Sequence, residues 1–400
     1  MATISSEGIS GAAARAPGMR DFEDLRAPLR ALCRRFPGDY WRRLDRERAY
    51  PRDFVAALTE AGFLAALIPE THGGSGLGLA AAAAIMEEIH QSGCNGAACH
   101  AQMYVMGTLL RHGSEAQKTA YLPAIASGEL RLQAFAVTEP ESGSDTTSLK
   151  TRARRHGDRY VIDGRKVFIS RAEHSDLMLL LARTTPLDQV TRRGDGLSVF
   201  LVDMRDAVGH GLAIQPIRTM INHATTEILF DGLEVPAANL IGVEGEGFRY
   251  ILDAMNAERV LIAAECIGDA RWFIAKASDY ARDRVVFGRP IGANQGVQFP
   301  IARAHAATEA AALMVAKAAA LFDAGDTCGA EANMAKLLAS EASWAAADMC
   351  LQTHGGFGLA EDFDIERKFR ETRLYRIAPI STNLILAYLG EHVLDLPRSY

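Results

Sequence analysis

The spacing of apolar residues changes twice along this 400-residue chain, and the change restricts the folds that it can adopt. From residue 21 to about 131 apolar residues recur at helical spacing, as Phe54 and Leu58 do. From 132 to about 235 they alternate as in strands, and from 247 onward helical spacing returns. We therefore predict a multidomain α and β chain with an N-terminal helical domain (21–131), a middle antiparallel β domain (132–240) and a C-terminal four-helix bundle (241–400).

Local signals place individual elements within these segments. An Ala-rich run from Leu79 to Gln91 predicts a helix, and Ser114 is a suitable N-cap for another. Asp163 and Gly164 lie between two β-rich runs, which predicts a hairpin turn at this pair. Further strands are predicted at 177–181, 197–202 and 228–230, and long helices at 248–282, 301–324, 331–352 and from Ser381.

Composition excludes several classes of function. A net charge of −6 provides no basic field for nucleic acid, and no uncharged apolar run is long enough to cross a membrane. The six cysteines are scattered rather than set at metal or disulfide spacings, so we expect a reduced, cytoplasmic protein without a metal site. The first twenty residues lack the apolar core of a secretion signal. We expect a frayed terminus there, with an organellar transit segment as the alternative.

Four runs carry a more specific signal: AFAVTEPESGSD (Ala134–Asp145), KVFIS (Lys166–Ser170), RVVFGRPIGANQ (Arg284–Gln295) and QTHGGFG (Gln352–Gly358). Together with the order of helical and β segments, they resemble the acyl-CoA dehydrogenase family over roughly residues 51–394. The resemblance implies an FAD-dependent enzyme of fatty acid metabolism. Such an enzyme removes two hydrogens from the α and β carbons of an acyl-CoA thioester.

The resemblance also implies roles for individual residues. Thr138 would bond the pyrimidine edge of the flavin, and Phe168 and Ser170 would pack on the ring and bond its N5. Ser144 would reach the flavin pyrophosphate or the CoA, and Arg284 would pair with the pyrophosphate. The expected cofactor-binding residues are Phe135, Val137, Thr138, Ser144, Phe168, Ser170, Arg284, Phe287, Gln295, Gln352, Gly355, Gly356, Ser381 and Asn383.

Two partners follow from the same resemblance. In the family, the stretch that corresponds to Gln352–Gly358 reaches the cofactor of a neighbouring subunit, which implies a homotetramer or homodimer. The resemblance also implies an electron-transfer flavoprotein as the electron acceptor. Ser144, Asn256 and Arg259 are expected to contact the acyl-CoA substrate.

The position of the catalytic base departs from the commonest family pattern. Most members carry a Glu shortly after a run resembling Arg370–Tyr375, and here Pro379 occupies that place. Proline accepts no proton, and it lacks the backbone N–H that in the family helps to hold the thioester carbonyl. A minority, including isovaleryl-CoA and long-chain dehydrogenases, carry the Glu on the first long helix of the C-terminal domain. Glu258 falls at that position.

Helical spacing supports Glu258 independently of the resemblance. The residues on the same helical face are apolar: Ile251, Ala254, Met255, Leu261 and Ile262. A carboxylate in such a stripe is desolvated, which raises its pKa and makes it a stronger base. The alternative is a Glu at the polar edge of the helix that pairs with Arg259. Glu265, on the same face, illustrates that a Glu in this stripe need not be catalytic.

Two rival functions keep the fold. A two-component flavin monooxygenase of the same superfamily would not need the carboxylate, so Pro379 is compatible with it. A non-catalytic flavin-binding subunit is the second rival. Anaerobic reduction of bound flavin by an acyl-CoA distinguishes both from a dehydrogenase.

Overall fold

The computed structural model of the protein describes residues 22–399. The frayed terminus expected over the first twenty residues lies outside this range. The predicted order of a helical segment, a β segment and a second helical segment is confirmed. In the described part of the chain, no helix combines the length and apolar character that crossing a bilayer requires.

Six helices form the first segment: α1 (Glu23–Cys33), α2 (Gly38–Glu47), α3 (Arg52–Glu60), α4 (Leu79–Gln91), α5 (Ala97–His112) and α6 (Glu115–Ser127). Helix α4 has the predicted bounds. Ser114 caps α6 as predicted, because its hydroxyl accepts from the Gln117 N–H while the Gln117 side chain accepts from the Ser114 N–H.

One mixed sheet forms the second segment, from β1 (Leu132–Ala136), β2 (Arg152–His156), β3 (Arg159–Ser170), β4 (Leu177–Arg183), β5 (Leu197–Asp203), β6 (Leu212–Pro216), β7 (Thr225–Pro236) and β8 (Leu240–Ile241), with the short helix α7 (Met204–Ala207) after β5. The main strand order is β6-β7-β3-β2-β4-β5-β8, and β1 pairs with β4. Most pairs are antiparallel, as predicted, but β4 runs parallel to β1 and pairs in parallel with the first residue of β2.

The hairpin predicted at Asp163 and Gly164 is wrong. Both residues lie inside the continuous strand β3, and the turn that joins β2 to β3 is instead Gly157-Asp158. Gly164 has φ 153° at a register shift opposite β7, and a Cβ there would lie 2.6 Å from the Thr151 Cα. The glycine therefore serves close strand packing at a bulge rather than a reversal of the chain.

The third segment contains α8 (Gly247–Asp283), β9 (Val285–Val286), β10 (Arg289–Pro290), α9 (Gln295–Ala324), α10 (Gly329–His354), α11 (Ile365–Arg373) and α12 (Thr382–His392). The four predicted long helices are confirmed as α8, α9, α10 and α12, although α9 begins six residues earlier than predicted. Gly268 allows α8 to approach α4, because a Cβ there would lie 2.3 Å from the Glu87 carbonyl oxygen.

Helix α8 connects the segments through two hydrophobic cores. One core joins the N-terminal helices to α8, α9 and α10 and runs from Leu29 to Tyr375. A second core joins α5 and α6 to one face of the sheet and includes Ile251 of α8. The first half of α8 therefore lies where N-terminal helices, sheet and bundle meet, and it carries Glu258 to this junction.

Candidate active site

Glu258 lines a small cavity between α5, α8 and the end of β1. Its side chain is buried, with 7% of the residue exposed, and the space between the lining side chains, part of which is open to solvent, is about 170 Å³. The other lining residues are Tyr104, Val105, Thr108, Phe135, Ile251, Ala254 and Met255. The apolar face predicted around Glu258 is thus buried against α5 and β1 rather than exposed at a polar edge.

The electrostatic state of Glu258 follows from this burial. Desolvation raises the pKa of its carboxyl to about 7, against the weaker opposing effects of His100, Arg259 and Lys336. Within residues 22–399 the carboxylate makes no hydrogen bond or ion pair, so the alternative of a pair with Arg259 is not realised. The Arg259 guanidinium instead donates to the Asn256 side-chain oxygen at 2.8 Å.

Glu265 shows how a neighbouring carboxylate on the same helix differs. It is 1% exposed, and one oxygen lies 2.5 Å from Nδ1 of His100 while the other lies 3.5 Å from Nε2 of His90. Burial alone would raise its pKa, but the two imidazoles and Tyr375 hold the pKa below its usual value. Glu265 is therefore a partnered structural charge, whereas Glu258 is the carboxylate that stays available to a ligand.

The first expected flavin-binding run forms β1 and the loop that follows it. Phe135 packs edge-on against Tyr104, with ring centroids 5.7 Å apart, and Val137 is buried. The Thr138 carbonyl accepts from the Val167 N–H at 2.9 Å. Beyond it, Lys166 Nζ donates to the Val137 carbonyl at 2.8 Å and to Glu139 at 2.9 Å, and these buried contacts fix the loop.

The second run ends in a bulged strand that turns an aromatic ring outward. The register of β3 shifts between Lys166 and Ile169, and Phe168 adopts φ 59°. Its side chain is 62% exposed, which is unusual for a phenylalanine in the middle of a sheet. Ser170 pairs with Thr225 through the backbone.

These residues fit a flavin. In the described part of the chain, the hydroxyl groups of Thr138, Ser144 and Ser170 have no hydrogen-bond partner and remain free to bond polar ring and phosphate atoms. Phe168 offers an exposed aromatic face to a flat ring, and open space surrounds Gly143, where a Cβ would meet no heavy atom within 4 Å. Bound FAD would supply the acceptor of a hydride at this surface.

The cofactor-binding residues expected in the third segment lie away from the Glu258 cavity. Phe287 is fully exposed at the tip of the β9–β10 hairpin, with φ 52°. The Arg284 guanidinium lies 6.0 Å from the ring centroid of Phe357, which brings the hairpin beside the turn after α10. The remaining members of this group are exposed on or near the same elements: Gln295, Gln352, Gly355 and Gly356.

The run around Pro379 contributes differently. Ser381 is the N-cap of α12, where its hydroxyl accepts from the Leu384 N–H, and Asn383 is exposed in the first turn of the helix. The Ile380 carbonyl accepts from the buried Lys336 ammonium at 2.6 Å. Ser381 thus has a structural role that the family resemblance did not indicate.

Sequence reasoning missed several residues next to Glu258. Tyr104 lines the cavity and packs edge-on against His100, with ring centroids 4.9 Å apart. Burial raises the pKa of Tyr104 well above its usual value, and the charge of Glu258 adds to the effect. In the sequence His100 lies close to Cys94 and Cys99, and that spacing by itself indicates packing rather than this site.

Comparison with known proteins finds relatives that match most of the chain. It is 34% identical to acyl-CoA dehydrogenase fadE12 of Mycobacterium bovis over 379 residues, which cover 94% of this chain and 96% of that protein. The chain belongs to the acyl-CoA dehydrogenase family. The descriptions "Acyl-CoA dehydrogenase, N-terminal domain", "middle domain" and "C-terminal domain" match residues 20–129, 134–233 and 245–393.

Solved structures agree with this membership. The acyl-CoA dehydrogenase of Geobacillus kaustophilus superposes with a TM-score of 0.88 at 28% identity, over 95% of this chain and 100% of that chain. The butyryl-CoA dehydrogenase of Megasphaera elsdenii gives 0.85 at 26% identity, over 93% and 98%. As an acyl-CoA dehydrogenase, the protein is an FAD-dependent oxidoreductase that acts on CH–CH donors.

Proposed function

We propose that the protein oxidises an acyl-CoA thioester to the trans-2-enoyl-CoA, with Glu258 as the base that removes the α proton. The observation that carries this proposal is the state of Glu258: a buried carboxylate without a partner in residues 22–399, on a cavity bordered by Phe135 and Tyr104. A pKa of about 7 places it half ionised at neutral pH, where a general base is most effective.

The proposed steps use residues on both sides of the cavity. The acyl chain would enter beside Phe135, with its α carbon facing Glu258 and its β carbon facing the Thr138–Phe168 surface. Bound FAD supplies the acceptor for the hydride that leaves the β carbon. Because base and acceptor act on opposite faces of the Cα–Cβ bond, alignment of the substrate contributes much of the rate. Ser144, Asn256 and Arg259 are the proposed contacts to the CoA portion.

The proposal includes an assembly and an electron acceptor. The exposed Phe287, together with Arg284 and the turn at Gly355 and Gly356, forms a surface suited to a second copy of the chain. A homodimer or homotetramer built through this surface would bring the remaining expected cofactor-binding residues to a neighbour's FAD. An electron-transfer flavoprotein is the proposed acceptor, and the proposed location is the cytoplasm.

An anaerobic titration tests the proposed reaction. Wild type, Glu258→Gln and Glu341→Gln are mixed with a panel of acyl-CoA thioesters, and loss of the flavin's visible absorbance is followed; Glu341 is an exposed residue of α10. We expect wild type and Glu341→Gln to be reduced by at least one thioester. Glu258→Gln should react about 10²–10⁴-fold more slowly, the usual contribution of a general base.

Two results would contradict the proposal in different ways. If no thioester reduces the wild-type flavin, the monooxygenase or the non-catalytic flavin-binding subunit becomes the better interpretation, and Pro379 is compatible with either. If Glu258→Gln reacts as fast as wild type, dehydrogenation stands but the base lies elsewhere. With Glu258 as base, the wild-type rate should also rise with pH through about 7.

A further inference from the structure

Arg171 follows β3 in a backbone conformation that arginine seldom adopts. Its φ is 59°, in the left-handed region, and its N–H donates to the Ala224 carbonyl at 2.7 Å. Only 6% of the residue is exposed, so the conformation directs a long cationic side chain into the protein interior. Residues held in strained backbone conformations cluster at active sites and ligand-binding positions.

The guanidinium of Arg171 lacks the anionic partner that a buried charge normally has. Its Nη2 lies 3.1 Å from Nε2 of His223, and no carboxylate lies within 4.0 Å of it among residues 22–399. Burial and the charge of Arg171 hold the pKa of His223 well below its usual value, so this imidazole stays neutral.

The other buried arginines of the described chain have a carboxylate or several carbonyl oxygens beside the guanidinium. Arg367 lies 2.8 Å from Glu371, Arg26 lies 3.0 Å from Glu87, and Arg183 donates to four backbone carbonyls. A buried cation without a counter-ion destabilises a protein unless a ligand supplies the missing charge. Arg183 also lacks a carboxylate, but its carbonyl acceptors partly compensate the charge, whereas within residues 22–399 the Arg171 guanidinium contacts only the neutral His223 imidazole.

Arg171 and His223 line a cleft of about 450 Å³ between the N-terminal helices, the sheet and α11. Two carboxylates also border this cleft, and both are engaged elsewhere. Asp45 lies 2.7 Å from Arg370, and Glu371 is the partner of Arg367. The remaining polar lining groups, including Tyr50, carry no negative charge that could neutralise Arg171.

Arg171 and the proposed catalytic base Glu258 both influence the ionisation of Tyr104. Tyr104 lines the Glu258 cavity. Beside the main effect of burial, the charge of Glu258 raises the pKa of the Tyr104 hydroxyl and the charge of Arg171 lowers it. His100 packs against Tyr104, and a positive charge on His100 would lower the pKa of both Glu258 and His223. Helix α5 lines both spaces, with Ala97 and Ala98 at the Arg171 cleft and Tyr104 at the Glu258 cavity. The two spaces are therefore neighbours along α5, and Arg171 directly follows Ser170, an expected flavin contact.

We propose that Arg171 binds a carboxylate at the far end of the acyl group, so that the preferred substrate is the CoA thioester of a short dicarboxylic acid. This inference rests on the proposed function and names its substrate class. The guanidinium offers two parallel N–H donors to a carboxylate, and burial strengthens the contact. Dehydrogenation itself is unchanged: the α proton passes to Glu258, the β hydride to FAD, and the distal carboxylate is not altered.

Matched thioesters test this assignment. Succinyl-, glutaryl- and adipyl-CoA are each compared with the thioester in which an isopropyl group replaces the terminal carboxylate. Flavin reduction is measured anaerobically for wild type, Arg171→Gln, Arg171→Lys and the control Arg205→Gln, an exposed arginine beside Asp203. We expect wild type to prefer at least one carboxylated thioester about 10- to 100-fold, the range for a hydrogen-bonded charge. Arg171→Gln should lose that preference, Arg171→Lys should keep part of it, and Arg205→Gln should keep all of it.

Binding measurements keep the test independent of turnover. The affinities of glutaconyl-CoA and of 5-methyl-2-hexenoyl-CoA, the two corresponding products, are measured by calorimetry, with free glutarate as a further arm. We expect tighter binding of glutaconyl-CoA, abolished in Arg171→Gln, and weak binding of glutarate. The ligand-free Arg171→Gln variant should also melt at a higher temperature than wild type, because the uncompensated charge is gone.

The outcomes separate this inference from the proposed function. If no thioester reduces the flavin but glutaconyl-CoA still binds more tightly through Arg171, dehydrogenation fails and the carboxylate site stands. If neutral thioesters react and bind as well as carboxylated ones, or if Arg171→Gln does not change the ratio, the carboxylate site is refuted while dehydrogenation stands. Tight binding of glutarate alone would assign the site to a free anion and overturn the proposal.

Discussion

Replacing Glu258 by Gln should stabilise the substrate-free protein at alkaline pH and leave its stability unchanged at acidic pH. Burial raises the pKa of Glu258 from its ordinary 4.5 to about 7 in the folded protein, whereas the unfolded chain retains the ordinary value. Between these two pH values the folded state binds the proton more tightly. The free energy of unfolding is therefore unaffected by this group below pH 4.5, and it decreases progressively as the pH rises from 4.5 to about 7.

The magnitude follows from the same two values. At about 1.4 kcal/mol per pH unit, the ionised carboxylate destabilises the protein by about 3 kcal/mol above pH 7. Gln resembles the protonated carboxyl and has no such dependence. At an unfolding entropy of about 2.1 cal/mol/K per residue, the melting temperature of a 400-residue chain shifts by roughly 1 °C per kcal/mol. Glu258→Gln should therefore melt roughly 3–4 °C above wild type at pH 8 and at the same temperature as wild type at pH 4.5.

Calorimetric melting of FAD-saturated wild type, Glu258→Gln and Glu341→Gln at the two pH values provides the assay. The exposed Glu341 controls for loss of a negative charge, and its variant should follow wild type at both pH values. An equal difference at pH 4.5 and pH 8, or no difference at either, would refute the reasoning. The Glu258 carboxylate would then be hydrated or partnered in the protein without substrate.

Three further changes test the fold and the assembly. Glu139→Ala leaves the Lys166 ammonium buried and unpaired, and should lower the free energy of unfolding by about 3–5 kcal/mol in denaturant titrations. Combining Glu139→Gln with Lys166→Met removes both charges and should recover most of that stability. Gly268→Ala should destabilise the protein by about 1–3 kcal/mol, because the new methyl meets the backbone of α4. Gly107→Ala, with open space beside α5, should stabilise it by about 0.5–1 kcal/mol. Equal effects of the two variants in thermal melts would contradict this reasoning. Phe287→Ser should weaken self-association about 10- to 100-fold in sedimentation experiments if the hairpin tip is buried in the assembly, and an unchanged mass at low concentration would argue against that surface.

The sequence predicted the fold best where periodicity extends over several turns. Helix α4 matched its predicted bounds, and Ser114 capped α6 as expected, because capping depends on neighbouring residues alone. The Asp163-Gly164 hairpin failed because the same dipeptide also suits a bulge. Only the approach of Thr151, the residue before β2, decides between the two, and that contact is not encoded locally.

In the candidate site, too, features that depend on one helix could be predicted, whereas contacts between distant segments could not. Burial of Glu258 could be predicted because its apolar neighbours lie on one face of one helix. Tyr104 and Arg171 could not be assigned, because they reach the site from α5 and from the end of β3, far apart in the sequence. The free state of Arg171 depends on which carboxylates pair elsewhere, and the folded structure alone determines those pairs.

The core that runs from Leu29 to Tyr375 has a consequence for synthesis of the protein on the ribosome. The apolar faces of α1 and α4 are completed by α8 and α10, which emerge roughly 15–60 s later at about 5–20 residues per second. Until then the nascent N-terminal helices expose surface that can bind chaperones or aggregate. Premature termination before α8 should therefore yield insoluble fragments rather than a folded N-terminal half.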